Sequence, residues 1–241
     1  NNSTKALLNT FKISDEVIEL LKIKSNPNKD GAPAFPTLMY DKVVDIRTYM
    51  PQQEVKIKSA FGAITGTIIP FDVWRTSDVS KITLICAGEK DMAVARSMGF
   101  NAITVVGGEH KLPLCPNFFK GRDVCIVYDN DDPGRSGAVN LANFLLDYAK
   151  TVRNCTAFHE ICKEEGEDIT DFFVKYNKTK LDLIYYLDLT PQHVRIETVK
   201  TANVPLVDLR TASRPENLNK ILQSNIQIVA TSEATFVAPS I

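Results

Sequence analysis

The sequence predicts an α/β fold in which a parallel sheet is flanked by helices, preceded by a small mixed α+β lobe and followed by a short β-rich extension. Between residues 81 and 187, strand-like apolar runs alternate with helical patterns, which is typical of parallel sheets with right-handed crossovers. The central run Val124–Tyr128 contains no charged residue, as expected for a strand buried on both faces. From Phe35 to Trp74, short β-prone segments are separated by turn residues.

The N-terminal lobe is predicted to comprise residues 1–79. A helical pattern covers Ser3–Ile23, and Ser14 is predicted to begin a helix. The Pro, Gly and Asn residues of Asn26–Pro36 predict a loop. Four short strands are then expected at Thr37–Tyr40, Lys42–Tyr49, Val55–Lys58 and Gly66–Phe71.

The central domain is predicted to comprise residues 80–188. Its strands are expected at Ile82–Cys86, Ala102–Val106, Val124–Tyr128 and Thr156–Cys162. Its helices are expected at Lys90–Met98, Gly134–Lys150, Ile169–Tyr176 and Lys180–Leu187. Residues 189–241 are predicted to form the β-rich extension or a linker towards a further domain. Its expected elements are strands at His193–Val199, Val204–Leu209 and Asn225–Val229 and a short helix near Arg214–Gln223.

The composition narrows the classes of function. The formal net charge is -1, so no overall basic field attracts nucleic acid, and such binding must depend on local patches or bound metal. No apolar run is long enough to span a membrane, and there is no signal-peptide pattern. The five cysteines form no Cys-x-x-Cys pair, which predicts reduced thiols in a cytoplasmic protein and argues against a zinc site. Because the chain begins without Met and stops at Ile241, we expect it to be a piece of a longer protein.

Three carboxylates follow the central strand Val124–Tyr128, where an open α/β sheet places its ligand crevice. They are Asp129, Asp131 and Asp132, and a helical pattern begins soon after them near Ser136. Carboxylates this close repel one another unless a cation lies between them. Hard oxygen ligands of this kind suit Mg²⁺ or Mn²⁺. The alternative is a polar turn that caps the next helix and binds no metal.

Two further acidic turns follow predicted strands, at Ala87–Asp91 and Glu167–Phe173. Together with Asp129–Asp131, in this order and spacing, they resemble the Toprim domain, which is shared by bacterial-type primases, phage primase-helicases, topoisomerases and some nucleases. The resemblance covers roughly residues 80–187, and it is specific as a set, because no single turn is distinctive. It implies that the predicted sheet is of the Toprim type.

Within the Toprim proteins, the chain most resembles phage and prophage primases and primase-helicases. The turn Gly88–Asp91 is followed by Gly99–Thr104 and Gly107–Glu109, and the segments from Val43–Arg47 to Ile69–Asp72 resemble the small N-terminal lobe of the primase catalytic core. The resemblance implies metal-dependent nucleotidyl transfer by a DNA primase, which makes short RNA primers on single-stranded DNA in phage or prophage replication. It also implies ribonucleoside triphosphates as substrates, a helicase domain in the same full-length chain, and no membrane partner.

The resemblance also implies which residues form the site. The expected catalytic residues are Glu89, Asp129 and Asp131. Cation ligands are expected from all three acidic turns: Glu89, Asp129, Asp131, Asp132, Asp168 and Asp171. Asp91 is expected only to organise its turn, and Asp132 and Asp168 could equally cap the helices that follow them. Contacts with nucleic acid or nucleotide are expected from four basic residues, unless these belong to solvated faces: Arg47, Lys56, Lys58 and Lys90.

One position departs from the Toprim pattern. The turn usually carries a Glu immediately before its Gly, where this chain has Ala87. Either Glu89, two residues further on, takes over that role, or the site has lost its activity. The alternatives to a primase are a Toprim metal-dependent nuclease, against which the primase-like lobe argues, and a non-catalytic nucleic-acid-binding module of a replication protein.

Overall fold

The computed structural model describes residues 2–195, apart from residues 54, 61 and 63. The strands predicted at Val204–Leu209 and Asn225–Val229, and the helix predicted near Arg214–Gln223, therefore lie outside the described residues. The strand predicted at His193–Val199 is described only as far as residue 195, and residues 193–195 form no strand.

The N-terminal lobe combines two short helices with a four-stranded antiparallel sheet. The helices are α1 (Asn2–Thr10) and α2 (Asp15–Leu20), and Ser14 caps α2 as predicted, because its hydroxyl oxygen accepts the Val17 N–H at 3.4 Å. The sheet has the order β1-β2-β3-β4. Its strands are Lys24–Asn26 (β1), Ala32–Met39 (β2), Lys42–Tyr49 (β3) and Ile57–Ser59 (β4).

The prediction of a loop at Asn26–Pro36 is wrong for the second half of that range, because β2 runs through Pro33 and Pro36. Proline lacks the N–H that a central strand donates, so prolines in sheets occupy positions with one free side. Pro33 pairs with Ser25 of the short β1, but the pairing of β2 with β3 begins only at the next residue, Ala34. Pro36 pairs with Ile46 of β3, and β1 does not extend that far. Each proline therefore has a strand partner on one side only.

The second sheet has five strands in the order β5-β7-β6-β8-β9. They are Ile68–Ile69 (β5), Thr83–Cys86 (β6), Asn101–Val105 (β7), Asp123–Val127 (β8) and Thr151–Asn154 (β9). The last four are parallel, and β5 is antiparallel to β7. The remaining helices are α3 (Phe71–Arg75), α4 (Glu89–Ser97), α5 (Asp132–Leu145), α6 (Ile169–Val174) and α7 (Lys180–Leu189). The predicted α/β fold class is confirmed.

The strand predicted at Thr156–Cys162 is wrong. This segment contains a 3-10 turn (Ala157–Glu160), and its buried residues Phe158 and Cys162 are four positions apart. Glu160, midway between them, is exposed, whereas a strand with a period of two would place it on the same face as Phe158 and Cys162. The strand itself, β9, lies just before this segment and buries only Val152. Its apolar pattern is too weak to be recognised.

The strand predicted at Gly66–Phe71 is present only in part. Ile68 and Ile69 pair with β7, and Phe71 already begins α3. The short β5 therefore connects the N-terminal lobe to the edge of the second sheet, and the chain enters α3 directly after it.

Both faces of the second sheet are covered, as the uncharged run at its centre predicts. On β8, Cys125 and Val127 pack in the cluster that includes residues of α4, α6 and α7, whereas Val124 and Ile126 pack in the cluster that includes residues of α3 and α5. This alternation follows the period of a strand. Among the described residues, no helix combines the length and the apolar character needed to cross a membrane.

Candidate metal centre

Two acidic turns leave the centre of the second sheet side by side. β6 and β8 are neighbours and pair in parallel up to Cys86 and Val127, so both chains emerge at the carboxyl edge of the sheet. Asp91 lies in the first turn of α4, just after β6, and Asp129 lies two positions beyond the last residue of β8. The topology therefore brings these two carboxylates to the same edge.

The third acidic turn is held at this edge by hydrogen bonds to Asn130. The Asn130 N–H donates to the Glu167 carbonyl at 2.8 Å, and the Gly166 N–H donates to the Asn130 carbonyl at 3.1 Å. The Asn130 side-chain amide also donates to the Cys162 carbonyl at 2.8 Å. These contacts fix the segment that leads into Asp168.

Asp91, Asp129 and Asp168 converge at the centre of the edge. Each offers a carboxylate oxygen, and the three oxygens lie within 4.8 Å of one another. Asp91 and Asp168 are only 5% and 7% exposed. Burial raises the pKa of Asp129, and the carboxylates of Asp91 and Asp168 raise it further; burial and Asp168 likewise raise the pKa of Asp91. Such a cluster stays fully ionised only if positive charge is supplied to it.

The residues present fit a divalent cation. Within the described part of the chain, the buried Asp129 Oδ1 has no hydrogen-bond partner. A buried oxygen without a partner forfeits the hydrogen bonds that water would give it, so such atoms are uncommon. Carboxylate oxygens are the ligands that Mg²⁺ and Mn²⁺ prefer. Asp91, Asp129 and Asp168 would hold such an ion.

Lys90 already supplies positive charge to this cluster. Its ammonium group donates to Asp168 Oδ2 at 2.7 Å and lies 3.3 Å from Asp91 Oδ1. Burial of Lys90 disfavours its charged form, but the carboxylates of Asp91 and Asp168 outweigh this effect and raise the pKa of Lys90. The sequence predicted a phosphate contact for Lys90, whereas its ammonium group is engaged by two carboxylates.

Asp168 is both a helix cap and a member of the cluster. Its Oδ1 accepts the Asp171 N–H at 3.0 Å, and Asp171 Oδ2 accepts the Asp168 N–H at 3.2 Å, which forms a capping box at the start of α6. Asp168 Oδ2 faces Lys90 and the cluster. The two alternatives predicted for Asp168 are therefore compatible, because each uses a different oxygen. Asp171 lies outside the group of three oxygens, and burial together with Asp168 raises its pKa.

Asp131 caps α5, which is the role that the sequence offered for Asp132 as the alternative to binding a cation. Asp131 Oδ1 accepts the Gly134 N–H at 2.6 Å, whereas 91% of the Asp132 side chain is exposed and its Oδ1 pairs with Arg135 at 2.6 Å. Neither residue belongs to the group of converging oxygens around Asp129. The cap lies one residue earlier than predicted because Asp132 is already the first residue of the helix.

Glu89 and Arg47 form a buried ion pair. Arg47 Nε on β3 donates to Glu89 Oε1 at the start of α4, and the two side chains are 11% and 5% exposed. The sequence predicted a catalytic role for Glu89 and a phosphate contact for Arg47. The structure brings these residues to each other, and it brings Asp91, for which only a turn-organising role was predicted, to the group of converging oxygens.

Lys56 and Lys58 are exposed at the edge of the N-terminal sheet. Lys58 lies on β4 and its ammonium group donates to Gln53 Oε1 at 3.0 Å; Lys56 immediately precedes the strand. Both residues are accessible, so their contact with nucleic acid remains a prediction.

Glu109 also lies at this edge, and sequence reasoning gave it no role in the site. It lies in the turn after β7, which is adjacent to β6 on the side opposite β8. Burial together with the Asp131 carboxylate raises the pKa of Glu109 to about 7. The available signal was an acidic residue after Gly107 and Gly108, directly beyond a strand of the parallel sheet.

The fold is similar to that of solved primase cores. The zinc-binding and RNA polymerase domains of Aquifex aeolicus primase match 80% of this chain with a TM-score of 0.60 and 14% identity, although the match spans only 57% of that primase chain. A DnaG primase catalytic domain bound to single-stranded DNA matches 95% of this chain and 85% of its own, with a TM-score of 0.62 and 15% identity. The primase fragment of the bacteriophage T7 primase-helicase matches 73% of this chain and 71% of its own, with a TM-score of 0.51 and 13% identity.

The sequence matches no protein-family model and no curated protein. The similarity to primases is therefore one of structure, and at 13–15% identity it shows the fold alone. The primase-type fold that the resemblance implied is confirmed.

Proposed function

We propose that this chain is the catalytic core of a DNA primase, a nucleotidyltransferase that makes short RNA primers on a single-stranded DNA template. The observation that carries the proposal is the convergence of Asp91, Asp129 and Asp168 at the carboxyl edge of a primase-type sheet. Residues 1–79 would be the primase lobe, 80–188 the Toprim domain and 189–241 an extension towards a helicase domain. The phage or prophage setting and the helicase partner belong to the same proposal and draw support from the T7 primase-helicase neighbour.

In primer synthesis, a 3′-hydroxyl attacks the α-phosphate of a ribonucleoside triphosphate and pyrophosphate leaves. Mg²⁺ or Mn²⁺ bound here would lower the pKa of the attacking hydroxyl and neutralise developing charge. Asp129 contributes the oxygen that lacks a partner, and Asp91 and Asp168 contribute the buried oxygens on either side. Lys90 offsets part of their charge, so the cluster can remain folded before a cation binds.

The partners proposed are single-stranded DNA and ribonucleoside triphosphates. The DnaG neighbour was solved bound to single-stranded DNA, which supports the template for this chain by analogy. With a net charge of -1, the chain has no overall attraction for nucleic acid, so binding must depend on local groups such as Lys56 and Lys58 and on bound cations. We therefore expect weak and strongly salt-dependent binding by this chain alone.

A non-catalytic module is the second candidate, and one observation favours it. Ala87 offers no carboxylate, and Glu89, the residue expected to replace it, is engaged by Arg47. If no other acid completes the site, the chain would bind nucleic acid and metal without turnover.

A primer-synthesis assay tests the proposal. Labelled ribonucleotides, single-stranded DNA and Mn²⁺ or Mg²⁺ are incubated with the parent, with Asp129→Asn and with Asp188→Asn, which changes an exposed aspartate on α7. We expect products from the parent and from Asp188→Asn, and a loss of about 10²-fold or more in Asp129→Asn. A zinc-binding primase domain added in trans should increase the yield.

The same samples are tested for cleavage of labelled DNA. Metal-dependent cleavage without primer synthesis would identify a nuclease instead. Metal binding without either activity, even with the zinc-binding domain present, would identify the non-catalytic module.

A further inference from the structure

Glu109 approaches the acidic edge from the side opposite Asp168. In the second sheet, β7 and β8 flank β6, and Glu109 lies in the turn after β7. Gly107 and Gly108 precede it with φ angles of 105° and 86°, a conformation that favours glycine. The turn is closed by a hydrogen bond from the Lys111 N–H to the Gly108 carbonyl at 3.0 Å. The backbone thus directs Glu109 back over the sheet edge.

Two glycines of α5 form a notch that holds Glu109. A Cβ atom on Gly134 would lie 2.9 Å from Glu109 Oε1 and 2.3 Å from the Asp129 carbonyl oxygen. A Cβ atom on Gly137 would lie 2.5 Å from the Glu109 carbonyl oxygen. Glycine weakens a helix relative to alanine, so two glycines in the first turns of α5 require a local reason. The close approach of Glu109 supplies it.

Most carboxylates at this edge already have a partner. Glu89 pairs with Arg47, Asp168 pairs with Lys90, and Asp131 accepts the N–H of Gly134.

Two carboxylate oxygens at this edge differ from the others, because they are buried and unpaired among the described residues. In the part of the chain that the structure describes, Glu109 Oε1 and Asp129 Oδ1 have no hydrogen-bond partner. The Glu109 carboxylate also faces that of Asp131, which raises the pKa of Glu109, and a hydrogen bond from the Asp129 backbone offsets only part of this effect. A half-buried carboxylate with a buried, unpaired oxygen is destabilising unless a cation satisfies it.

We propose that Glu109 is a further cation-binding residue of the site. It supplies a carboxylate from the turn after β7, whereas Ala87 supplies none from the turn after β6. The cation is a hard divalent ion, Mg²⁺ or Mn²⁺, which Glu109 binds together with Asp129. Gly134 and Gly137 act as positioning residues, because the notch exists only without their Cβ atoms. The inference rests on the cation site of the proposed function and adds a fourth acidic residue to it.

Calorimetric titration with Mn²⁺ tests the inference, together with thermal unfolding of the metal-free protein. Glu109→Gln keeps the shape of the side chain, Gly137→Ala fills the notch, and Glu19→Gln removes an equal charge from an exposed position on α2. We expect Glu109→Gln and Gly137→Ala to weaken Mn²⁺ binding about 10-fold or more, with no change in Glu19→Gln. Without metal, Glu109→Gln should unfold at the same temperature as the parent or higher, since a repulsion is removed.

Asp129→Asn separates a failure of this inference from a failure of the proposed function. If Asp129→Asn loses Mn²⁺ binding while Glu109→Gln binds like the parent, the cation site stands and the role of Glu109 is overturned. If the parent binds no Mn²⁺, or Asp129→Asn binds it unchanged, both the cation site and the role of Glu109 are overturned. A fall in metal-free unfolding temperature for Glu109→Gln, with Mn²⁺ affinity unchanged, would identify a purely structural residue.

Discussion

Removing the Lys90 ammonium group should destabilise the metal-free protein by about 3 kcal/mol. The group lies 2.7 Å from Asp168 Oδ2 and 3.3 Å from Asp91 Oδ1, and only 19% of the side chain is exposed. At an effective dielectric constant of about 20, each contact contributes about 5–6 kcal/mol before the cost of desolvation is subtracted. Lys90→Met keeps most of the apolar stem but leaves the two carboxylates facing each other with less positive charge between them.

The loss has an upper bound, because a carboxyl group can take up a proton in place of the missing ammonium. For Asp91, whose ordinary pKa is 3.8, protonation at pH 7 costs about 4 kcal/mol, since each pKa unit corresponds to about 1.4 kcal/mol. Burial and Asp168 already favour the protonated form of Asp91 in the folded state, so the real loss should lie below this bound.

Urea unfolding in the presence of a chelator measures the loss, with Lys150→Met as the matched control. Lys150 also forms an ion pair, with Asp123 at 3.1 Å, but 62% of its side chain is exposed. Its removal should therefore change the free energy of unfolding by less than about 1 kcal/mol. Excess Mn²⁺ should narrow the gap between Lys90→Met and the parent, because a cation replaces the lost charge. A loss for Lys90→Met no larger than that for Lys150→Met would show that the buried ammonium group does not stabilise this cluster.

Changes at Glu89, at Asp129 and at two exposed lysines should also have measurable effects. Glu89→Gln should lower the free energy of unfolding by about 3 kcal/mol, because it leaves the buried Arg47 without its carboxylate; an unchanged urea midpoint would contradict this. Burial raises the pKa of Asp129 in the folded protein. The protonated carboxyl group therefore contributes to the free energy of unfolding fully below about pH 4, and this contribution is lost as the pH rises through the raised pKa. Between about pH 5 and 8, in chelator, the parent should therefore lose more stability than Asp129→Asn; parallel curves would count against the shift. Lys56→Ala with Lys58→Ala should reduce the log–log salt slope for single-stranded DNA, measured by fluorescence anisotropy, by about 1.4 if each lysine contacts one phosphate. An equal slope in the parent and the double variant would argue against these contacts.

The central strands could be predicted from the sequence because burial on both faces leaves an unbroken apolar run. β6, β7 and β8 lie within one residue of their predicted bounds. β9 could not be predicted, since it lies at the edge of the sheet and buries only Val152. The prolines of β2 led to the prediction of a loop for a related reason. Whether a position in a strand pairs on one side or on both depends on the lengths of the neighbouring strands, and local composition does not contain that information.

The edge at which the acids meet could also be predicted, but the partner of each acid could not. Glu89 and Asp91 are two positions apart on α4, so their side chains point about 200° apart around the helix axis. Glu89 therefore meets Arg47, while Asp91 faces the other two acids. Spacing alone did not distinguish them, because that requires knowing where α4 begins and which side of it the N-terminal lobe covers.

The first turn of α4 thus connects the lobe to the cation site. Its first three residues have three different partners: Glu89 pairs with Arg47 on β3, Lys90 with Asp168, and Asp91 joins the converging oxygens around Asp129. Because these side chains belong to one helical turn, a shift of that turn would move all three. The position of β3 therefore bears on the carboxylates that would hold the cation. It follows that the lobe is part of the framework of the site, whether or not its exposed lysines contact nucleic acid.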